Sequence, residues 1–377
     1  MAKPLLTLLM LALPLATLAA PQAPAQTPPM PPTSQTAPTA LPAPPVPPPQ
    51  AAAATAAPSS PLGAAMPARL PGAHAYSVRA KATGRPYRIQ VSAIGRPPAQ
   101  GYPVLYVLDG DALFPVVSMA AQGMAMRADE NGTIPMLIVG VGYDDAQLLD
   151  IQARAQDYTP PAPDLANTGD RWAKQQGGAD VFLQFLTQEL QPAIAQSYPA
   201  DPSRQALMGH SYGGLFTLYA MLQQPQHFQV YIASSPSLWW NGGYLHQVRE
   251  RTLPVWQAAS ALQNTPSPAP AGSAAALALP TGLHISMGSY EQTPSPRIDA
   301  QSPRARMMQE RGQVTHARQF AQAMQKALPD LPVQFAQYPQ ATHATAALHA
   351  VIDGLRFASD CWQTPNCQPP AIRHKPH

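Results

Sequence analysis

Charged residues are scarce in this chain of 377 residues, at 11% of the total, and the net charge is only +3. Proteins that bind nucleic acids or anionic membranes concentrate basic residues in patches, and no basic cluster stands out here. Cysteine is rarer still, with only Cys361 and Cys367. Two cysteines alone are a weak signal for a metal site. We therefore expect no nucleic-acid partner, no metal and no organic cofactor.

Long apolar stretches are also missing, except near the N-terminus. Lys3 precedes an apolar run, Leu5–Ala20, which is followed by small residues before Gln26. This pattern is typical of an export signal, which we assign to residues 1–25. The run is short for a stable membrane span, although an uncleaved anchor is the alternative. We predict a periplasmic or secreted protein, in a compartment where the two cysteines could form a disulfide.

Proline, in contrast, is abundant, with 48 residues in the whole chain and a dense cluster near the N-terminus. Residues 26–72 are rich in Pro and Ala and lack the apolar content of a core, so we predict a disordered linker. We assign the catalytic domain to residues 73–360 and a C-terminal tail to residues 361–377. A second Ala/Pro/Ser-rich stretch, Thr265–Pro280, reads as a flexible insertion.

Within the catalytic domain, apolar strand patterns alternate with helical patterns. A hairpin at the start is followed by buried strands such as Tyr102–Leu108 and Ile134–Val141, and by helical segments such as Ala179–Tyr198 and Val314–Leu328. Such alternation predicts an α/β fold, with a mainly parallel sheet and helices on both faces. The active site of such a fold lies beyond the carboxyl ends of the strands.

The segment Leu207–Gly214 carries a G-x-S-x-G motif centred on Ser211. An apolar strand pattern precedes the motif and a helical pattern follows it, as a nucleophile elbow requires. The glycines at 209 and 213 would let the turn pass close to its neighbours, and the strained turn would expose the serine oxygen. Ser211 is therefore the predicted nucleophile of an α/β-hydrolase fold.

A serine nucleophile needs a base, and the chain order in such hydrolases is serine, acid, histidine. His343 lies between the last strand and the last helix and is the predicted base, whereas His210 is expected to point away from the elbow. Glu291 follows an earlier strand and is the predicted acid that orients His343. Asp299, or a dyad with no acid, is the alternative.

The oxyanion hole needs backbone N–H donors. One is expected at Tyr212, directly after the nucleophile, and the other at Gly110 and Asp111, in the turn after an earlier strand. The second donor is placed by topology alone, because no HGGG motif occurs.

Several segments in the same order resemble the putative-esterase family of α/β-hydrolases, which includes esterase D-like enzymes and periplasmic siderophore-trilactone esterases. The matching segments are Tyr102–Gly110, Arg154–Pro160, Gly177–Asp180, Gly209–Gly214 and Ser234–Trp240. The resemblance implies a serine hydrolase that uses Ser211 and His343. It also suggests that Arg154 faces the cleft, where it would bind an anionic group or instead fix its own loop. Trp239 and Trp240 are candidates for an aromatic wall of the substrate pocket.

The function predicted from these features is hydrolysis of a small-molecule carboxylic ester through an acyl-enzyme. A siderophore trilactone of the enterobactin type is the leading substrate. The alternatives are a carboxylesterase of broad specificity, an acyltransferase, and a binding protein on a hydrolase fold.

Overall fold

The computed structural model describes residues 67–144, 148–263 and 277–368. The predicted export signal, most of the predicted linker and most of the Thr265–Pro280 insertion lie outside the described residues. The first regular strand begins at Ala73.

Eight strands form one sheet in the order β1-β2-β4-β3-β5-β6-β7-β8. The strands are β1 (Ala73–Arg79), β2 (Pro86–Ile94), β3 (Tyr102–Leu108), β4 (Met136–Tyr143), β5 (Ala200–His210), β6 (Val230–Ser234), β7 (Gly282–Gly288) and β8 (Val333–Tyr338). Strand β2 is antiparallel to both of its neighbours, and every pairing from β4 to β8 is parallel. The predicted mainly parallel sheet is therefore confirmed, with an N-terminal hairpin at one edge.

The described residues include ten α-helices. They are α1 (Gly110–Ala125), α2 (Ala128–Asn131), α3 (Ile151–Tyr158), α4 (Ala179–Gln184), α5 (Gln191–Ser197), α6 (Tyr212–Gln223), α7 (Trp240–Gln263), α8 (Pro303–Arg311), α9 (Gln313–Ala327) and α10 (His343–Gln363). A π-helical turn, Phe185–Leu190, joins α4 to α5. Within the described residues, no helix is both long enough and apolar enough to cross a lipid bilayer.

Side chains of the central strands alternate between two apolar layers, as the two-residue period of a strand requires. On β3, Val104 and Tyr106 join a large cluster with α4, α6 and α9, whereas Leu105 and Val107 join a second cluster with α1 and α10. Because both faces are covered, β3, β4 and β6 are buried along their whole length. The remaining place for a site is the carboxyl edge of the sheet.

Sequence patterns did not identify the helices α3, α7 and α8. Helix α8 buries only Ala305, so it carries no apolar stripe to detect. Helix α7 contains Pro254 and opens through positive φ angles at 241–243, which interrupt a regular helical pattern. At the C-terminus, α10 continues past the Asp360 boundary of the predicted domain, and a disulfide joins Cys361 on this helix to Cys367.

Candidate active site

The nucleophile turn lies between β5 and α6. Ser211 has φ 61° and ψ −116°, a conformation that non-glycine residues rarely adopt. The turn is held by the Ser211 N–H, which donates to Ser234 O at 2.9 Å, and by the Ser237 N–H, which donates to Ser211 O at 3.1 Å. A Cβ atom at Gly209 would overlap the backbone of Gly213, so this glycine is required. The sharp turn leaves the hydroxyl of Ser211 at the carboxyl edge of the sheet.

His343 and Glu291 come together at the same edge. His343 Nδ1 lies 2.6 Å from Glu291 Oε2, and the side chain of Glu291 is 1% exposed. The carboxylate also accepts hydrogen bonds from Ser235 Oγ and from the Gly288 N–H, each at 2.6 Å, and from Gln313 Nε2 at 3.1 Å. A carboxylate bound in this way fixes the imidazole with a proton on Nδ1 and leaves Nε2 to accept one.

The alternative acid lies elsewhere. Asp299 is exposed, and its carboxylate accepts a hydrogen bond from the N–H of Gln301 in a local turn. Of the two candidate acids, only Glu291 contacts His343 among the described residues. His343 itself is the first residue of α10 and follows the N-cap Thr342, so the base belongs to a helix start and not to a free loop.

The hydroxyl of Ser211 is 3.4 Å from Ser237 Oγ, which is its hydrogen-bond partner among the described residues. His343 lies beside the elbow, with its ring centroid 4.6 Å from that of His210, the residue before the nucleophile. Hydrogen bonds between nucleophile and base are often long before substrate binds. Ser211, His343 and Glu291 thus occupy one edge, and among the described residues Ser211 Oγ is hydrogen-bonded to Ser237 and not to His343.

His210 was expected to point away from the nucleophile turn, and among the described residues its hydrogen-bond partner is Ser234 and not Ser211. Its ring faces His343, and Nδ1 lies 3.1 Å from Ser234 Oγ. Burial lowers the pKa of His210 well below its usual value, and the neighbouring His343 and Arg154 lower it further. A neutral ring therefore borders the imidazole of His343. The sequence feature that places His210 at this edge of the sheet is its position as the last residue of β5.

Two helix starts converge on the elbow. Tyr212 begins α6, and Gly110 begins α1 after Asp109, which adopts a left-handed conformation at φ 51°. The first amides of a helix have no partner inside it, and the first bonded amide of α1 is that of Ala112, which donates to Asp109 O. The amides of Gly110, Asp111 and Tyr212 thus have no partner within their own helices, and their role as oxyanion donors stays a prediction.

Arg154 reaches this edge of the sheet, but its guanidinium forms an ion pair with another side chain of the protein. Its Nε and Nη2 donate to the two carboxylate oxygens of Asp109, each at 2.9 Å, and the side chain is 11% exposed. Burial lowers the pKa of Arg154, but the Asp109 carboxylate outweighs it and raises the pKa above the usual value. The guanidinium also lies over the rings of Tyr158 and Tyr212. This geometry favours a positioning role over direct contact with an anionic substrate.

The two tryptophans have different environments. Trp240 is completely buried, and its indole N–H donates to Gln176 Oε1 at 2.6 Å. The prediction that Trp240 lines the pocket is therefore wrong, because the chain turns its side chain into the core at the start of α7. Trp239 is only partly buried and lines a cavity of about 1150 Å³ next to Tyr212.

Within the described residues, no group of three or more His, Cys, Asp or Glu side chains is arranged to hold a metal ion.

Comparison with known sequences gives several relatives of this chain. The ferri-bacillibactin esterase of Bacillus subtilis is 37% identical over 182 residues, which are 47% of this chain and 62% of the relative. The siderophore triacetylfusarinine C esterase of Aspergillus fumigatus is 42% identical over 168 residues, which are 42% of this chain and 53% of the relative. The matched segments thus span little more than half the length of these relatives.

Solved structures share the fold over a larger part of the chain. The siderophore hydrolase EstA of Aspergillus nidulans has a TM-score of 0.64 at 25% identity, covering 79% of this chain and 98% of that structure. A protein of Bacillus cereus called BES has a TM-score of 0.62 at 26% identity, covering 78% and 98%. The sequence model described as "Putative esterase" matches residues 80–331, which is more than half of the chain. The chain therefore belongs to the putative esterase family of α/β-hydrolases.

Proposed function

We propose that this protein is a serine carboxylic-ester hydrolase that opens the ester bonds of siderophores. The hydrogen bond between His343 and Glu291, at the sheet edge that also holds the strained Ser211, is the observation that carries the proposal. The relatives named as siderophore esterases support the choice of substrate. Membership of the family supports the choice of chemistry.

The proposed reaction begins when the Ser211 hydroxyl attacks the ester carbonyl and His343 Nε2 accepts its proton. The Glu291 carboxylate stabilises the imidazolium that forms. The amides of Tyr212, Gly110 and Asp111 donate hydrogen bonds to the oxyanion. The imidazolium then gives its proton to the departing alcohol oxygen, and the C–O bond breaks to leave an acyl-enzyme. Water, deprotonated by His343, hydrolyses this intermediate and restores the serine.

The test compares an enterobactin-type trilactone with p-nitrophenyl butyrate, using the wild type, Ser211→Ala and the control Ser77→Ala. Ser77 lies on the edge strand β1, and its Oγ donates a hydrogen bond to Asp144 Oδ2. We expect the wild type and the control to linearise the trilactone. Loss of the nucleophile should lower kcat by about 10⁴-fold or more. Rapid p-nitrophenyl turnover with an intact trilactone would instead favour a broad carboxylesterase, and activity in Ser211→Ala would exclude Ser211 as nucleophile.

The proposal includes export to the periplasm or the medium. The apolar run Leu5–Ala20 after Lys3 supports it, as does the Cys361–Cys367 disulfide, because disulfides persist in oxidising compartments. Cell fractionation followed by mass measurement of the purified protein tests this proposal. We expect a mature chain that begins at Gln26. An uncleaved chain in the cytoplasmic fraction would contradict export.

A further inference from the structure

A cavity of about 1150 Å³ adjoins the nucleophile turn and contains neither Ser211 nor His343 in its lining. Its walls are the segment 166–172, Trp239 and helix α8. Two contacts connect it to the elbow: Tyr212 Oη donates to Asp170 Oδ2 at 2.6 Å, and the rings of Tyr212 and Trp239 are 6.3 Å apart. The cavity is thus connected to the elbow through the side chain of Tyr212, the residue after the nucleophile.

The cavity is positively charged. Arg171, Arg304, Arg306 and Arg311 line it, against only two carboxylates. In the part of the chain that the structure describes, none of these four arginines has a carboxylate within ion-pair distance. Other arginines near this edge are neutralised, as the Arg154–Asp109 pair shows. Four unpaired guanidinium groups around one cavity favour an anionic ligand.

One carboxylate of the cavity, that of Asp170, accepts hydrogen bonds from two neutral protein groups. Asp170 Oδ2 accepts the hydroxyl of Tyr212, and Oδ1 accepts the N–H of Trp172 at 2.8 Å. The other, Glu310, is exposed at the surface of α8. The net charge of the ionisable side chains that line the cavity is therefore positive.

The cavity is also aromatic. The Arg311 guanidinium lies 3.7 Å from the centroid of Trp239 and donates to Gly169 O at 3.3 Å. Trp172, on the same cavity, is 81% exposed. An indole so exposed on a cavity wall has an open face for stacking, and a guanidinium over an indole can pair with the anionic edge of a stacked ring. The ligand that fits both features is an aromatic ring bearing negatively charged oxygens.

We propose that this cavity binds the catecholate arms of the substrate and makes the enzyme prefer the iron-loaded ester to the metal-free one. The inference rests on the proposed siderophore esterase function. Iron(III) bound by three catecholates forms a trianion, whereas free phenols keep their protons near neutral pH. The unpaired arginines therefore interact with the loaded form through charge and with the free form mainly through stacking. Iron belongs here to the substrate.

The experiment measures kcat/KM for the iron(III) complex, the gallium(III) complex and the metal-free trilactone. The variants are Arg306→Gln, Arg311→Gln and Arg311→Lys, and each rate is divided by that of the same variant on p-nitrophenyl butyrate. Arg318→Gln is the matched control, because Arg318 also lies over an aromatic ring, that of Phe335, and lines a different part of the surface. Gallium(III) keeps the charge of the complex and removes its redox chemistry.

We expect the wild type and Arg318→Gln to prefer both metal complexes by about tenfold, the effect of one strong charge-assisted contact. Arg306→Gln and Arg311→Gln should reduce this preference toward unity, and Arg311→Lys should retain most of it. Raising the ionic strength from about 0.05 M to about 0.5 M should also weaken the preference of the wild type for the metal complexes, since the arginines are near solvent.

Two failures are distinguishable. Equal kcat/KM for loaded and free trilactone in the wild type, or a preference that survives both glutamine variants, would overturn the role of the cavity and leave the esterase proposal standing. Trilactones untouched by an enzyme that still hydrolyses p-nitrophenyl butyrate would overturn both the siderophore assignment and this inference.

Discussion

Arg154 and Asp109 form a buried, bidentate ion pair beneath the point where two helix starts meet. Both N–O distances are 2.9 Å, and the side chains are 11% and 3% exposed. Asp109 precedes the first amides of α1, while its Oδ2 lies close to Gly213 in the first turn of α6. The pair therefore connects the two sets of amides that would hold an oxyanion, and it also neutralises a carboxylate that would repel one.

The first prediction concerns this pair. Arg154→Gln leaves a buried carboxylate unpaired, which should cost about 3–5 kcal/mol of stability. It should lower kcat by at least about tenfold on both p-nitrophenyl butyrate and a trilactone, with a smaller change in KM. Kinetics and urea denaturation measure the two effects. Addition of Asp109→Asn should recover part of the lost stability, because it removes the unpaired charge.

A different outcome is expected if Arg154 binds the anionic substrate directly. Then Arg154→Gln would raise KM for the trilactone and leave the neutral p-nitrophenyl ester unaffected. That result would favour the interpretation that the family resemblance suggested over the positioning role.

The second prediction separates the two candidate acids. Glu291→Gln keeps the shape of the side chain but removes the charge that stabilises the His343 imidazolium, so we expect kcat to fall by about 10³-fold. Asp299→Asn, in an exposed turn, is the control and should keep wild-type rates. Thermal unfolding should accompany the kinetics, because Glu291 also binds Ser235 and Gly288. Full activity of Glu291→Gln would mean that a dyad suffices.

The third prediction concerns pH. His284 on β7 is completely buried near Phe357, and neither ring nitrogen has a partner among the described residues. Burial lowers the pKa of His284 to about 4, an effect that Asp353 partly opposes. In the unfolded chain the pKa is about 6.5. Between these values the unfolded state binds a proton that the native state does not, so stability falls as pH falls.

His284→Leu should remove this dependence. Between pH 7 and pH 5, the wild type should lose about 2 kcal/mol more of its free energy of unfolding than the variant. Urea denaturation across this range measures the difference, and His74→Gln, at an exposed position, is the control. Parallel pH profiles for the wild type and His284→Leu would show that the ring is protonated as easily in the folded state as in the unfolded one.

Local patterns predicted the central strands and the mainly parallel sheet, because strand patterns depend on neighbours in sequence. The G-x-S-x-G segment predicts its own turn, and the positions of Glu291 and His343 after parallel strands predict that they share an edge. The orientation of a single side chain was harder to predict. His210 faces His343 only because β5 and the start of α10 lie side by side, a relationship that no local pattern contains.

The cavity illustrates the same limit. Its walls come from the segment 166–172, from Trp239 and from α8, which are distant in sequence. Helix α8 has no apolar stripe, since most of its side chains face the solvent or the cavity. In the sequence, the arginines of α8 cannot be distinguished from ordinary surface residues. In the structure, they line the same cavity as Trp239. Local patterns in the sequence therefore predict the catalytic residues but not most of the surface that would select the substrate.

The fourth prediction tests two adjacent residues with opposite environments. Trp240 is fully buried, so Trp240→Ala should destabilise the protein by about 3–5 kcal/mol through the cavity it leaves. Trp239 is partly exposed and lies under Arg311, so Trp239→Ala should cost far less stability but raise KM for a catecholate ester by about tenfold, because it removes the ring that positions the Arg311 guanidinium. Trp239→Phe keeps an aromatic ring at this position, so its KM should stay much closer to the wild-type value. If instead Trp239→Ala leaves KM unchanged, the Trp239–Arg311 pair does not contribute to substrate binding, and this part of the inference fails while the catalytic assignment stands.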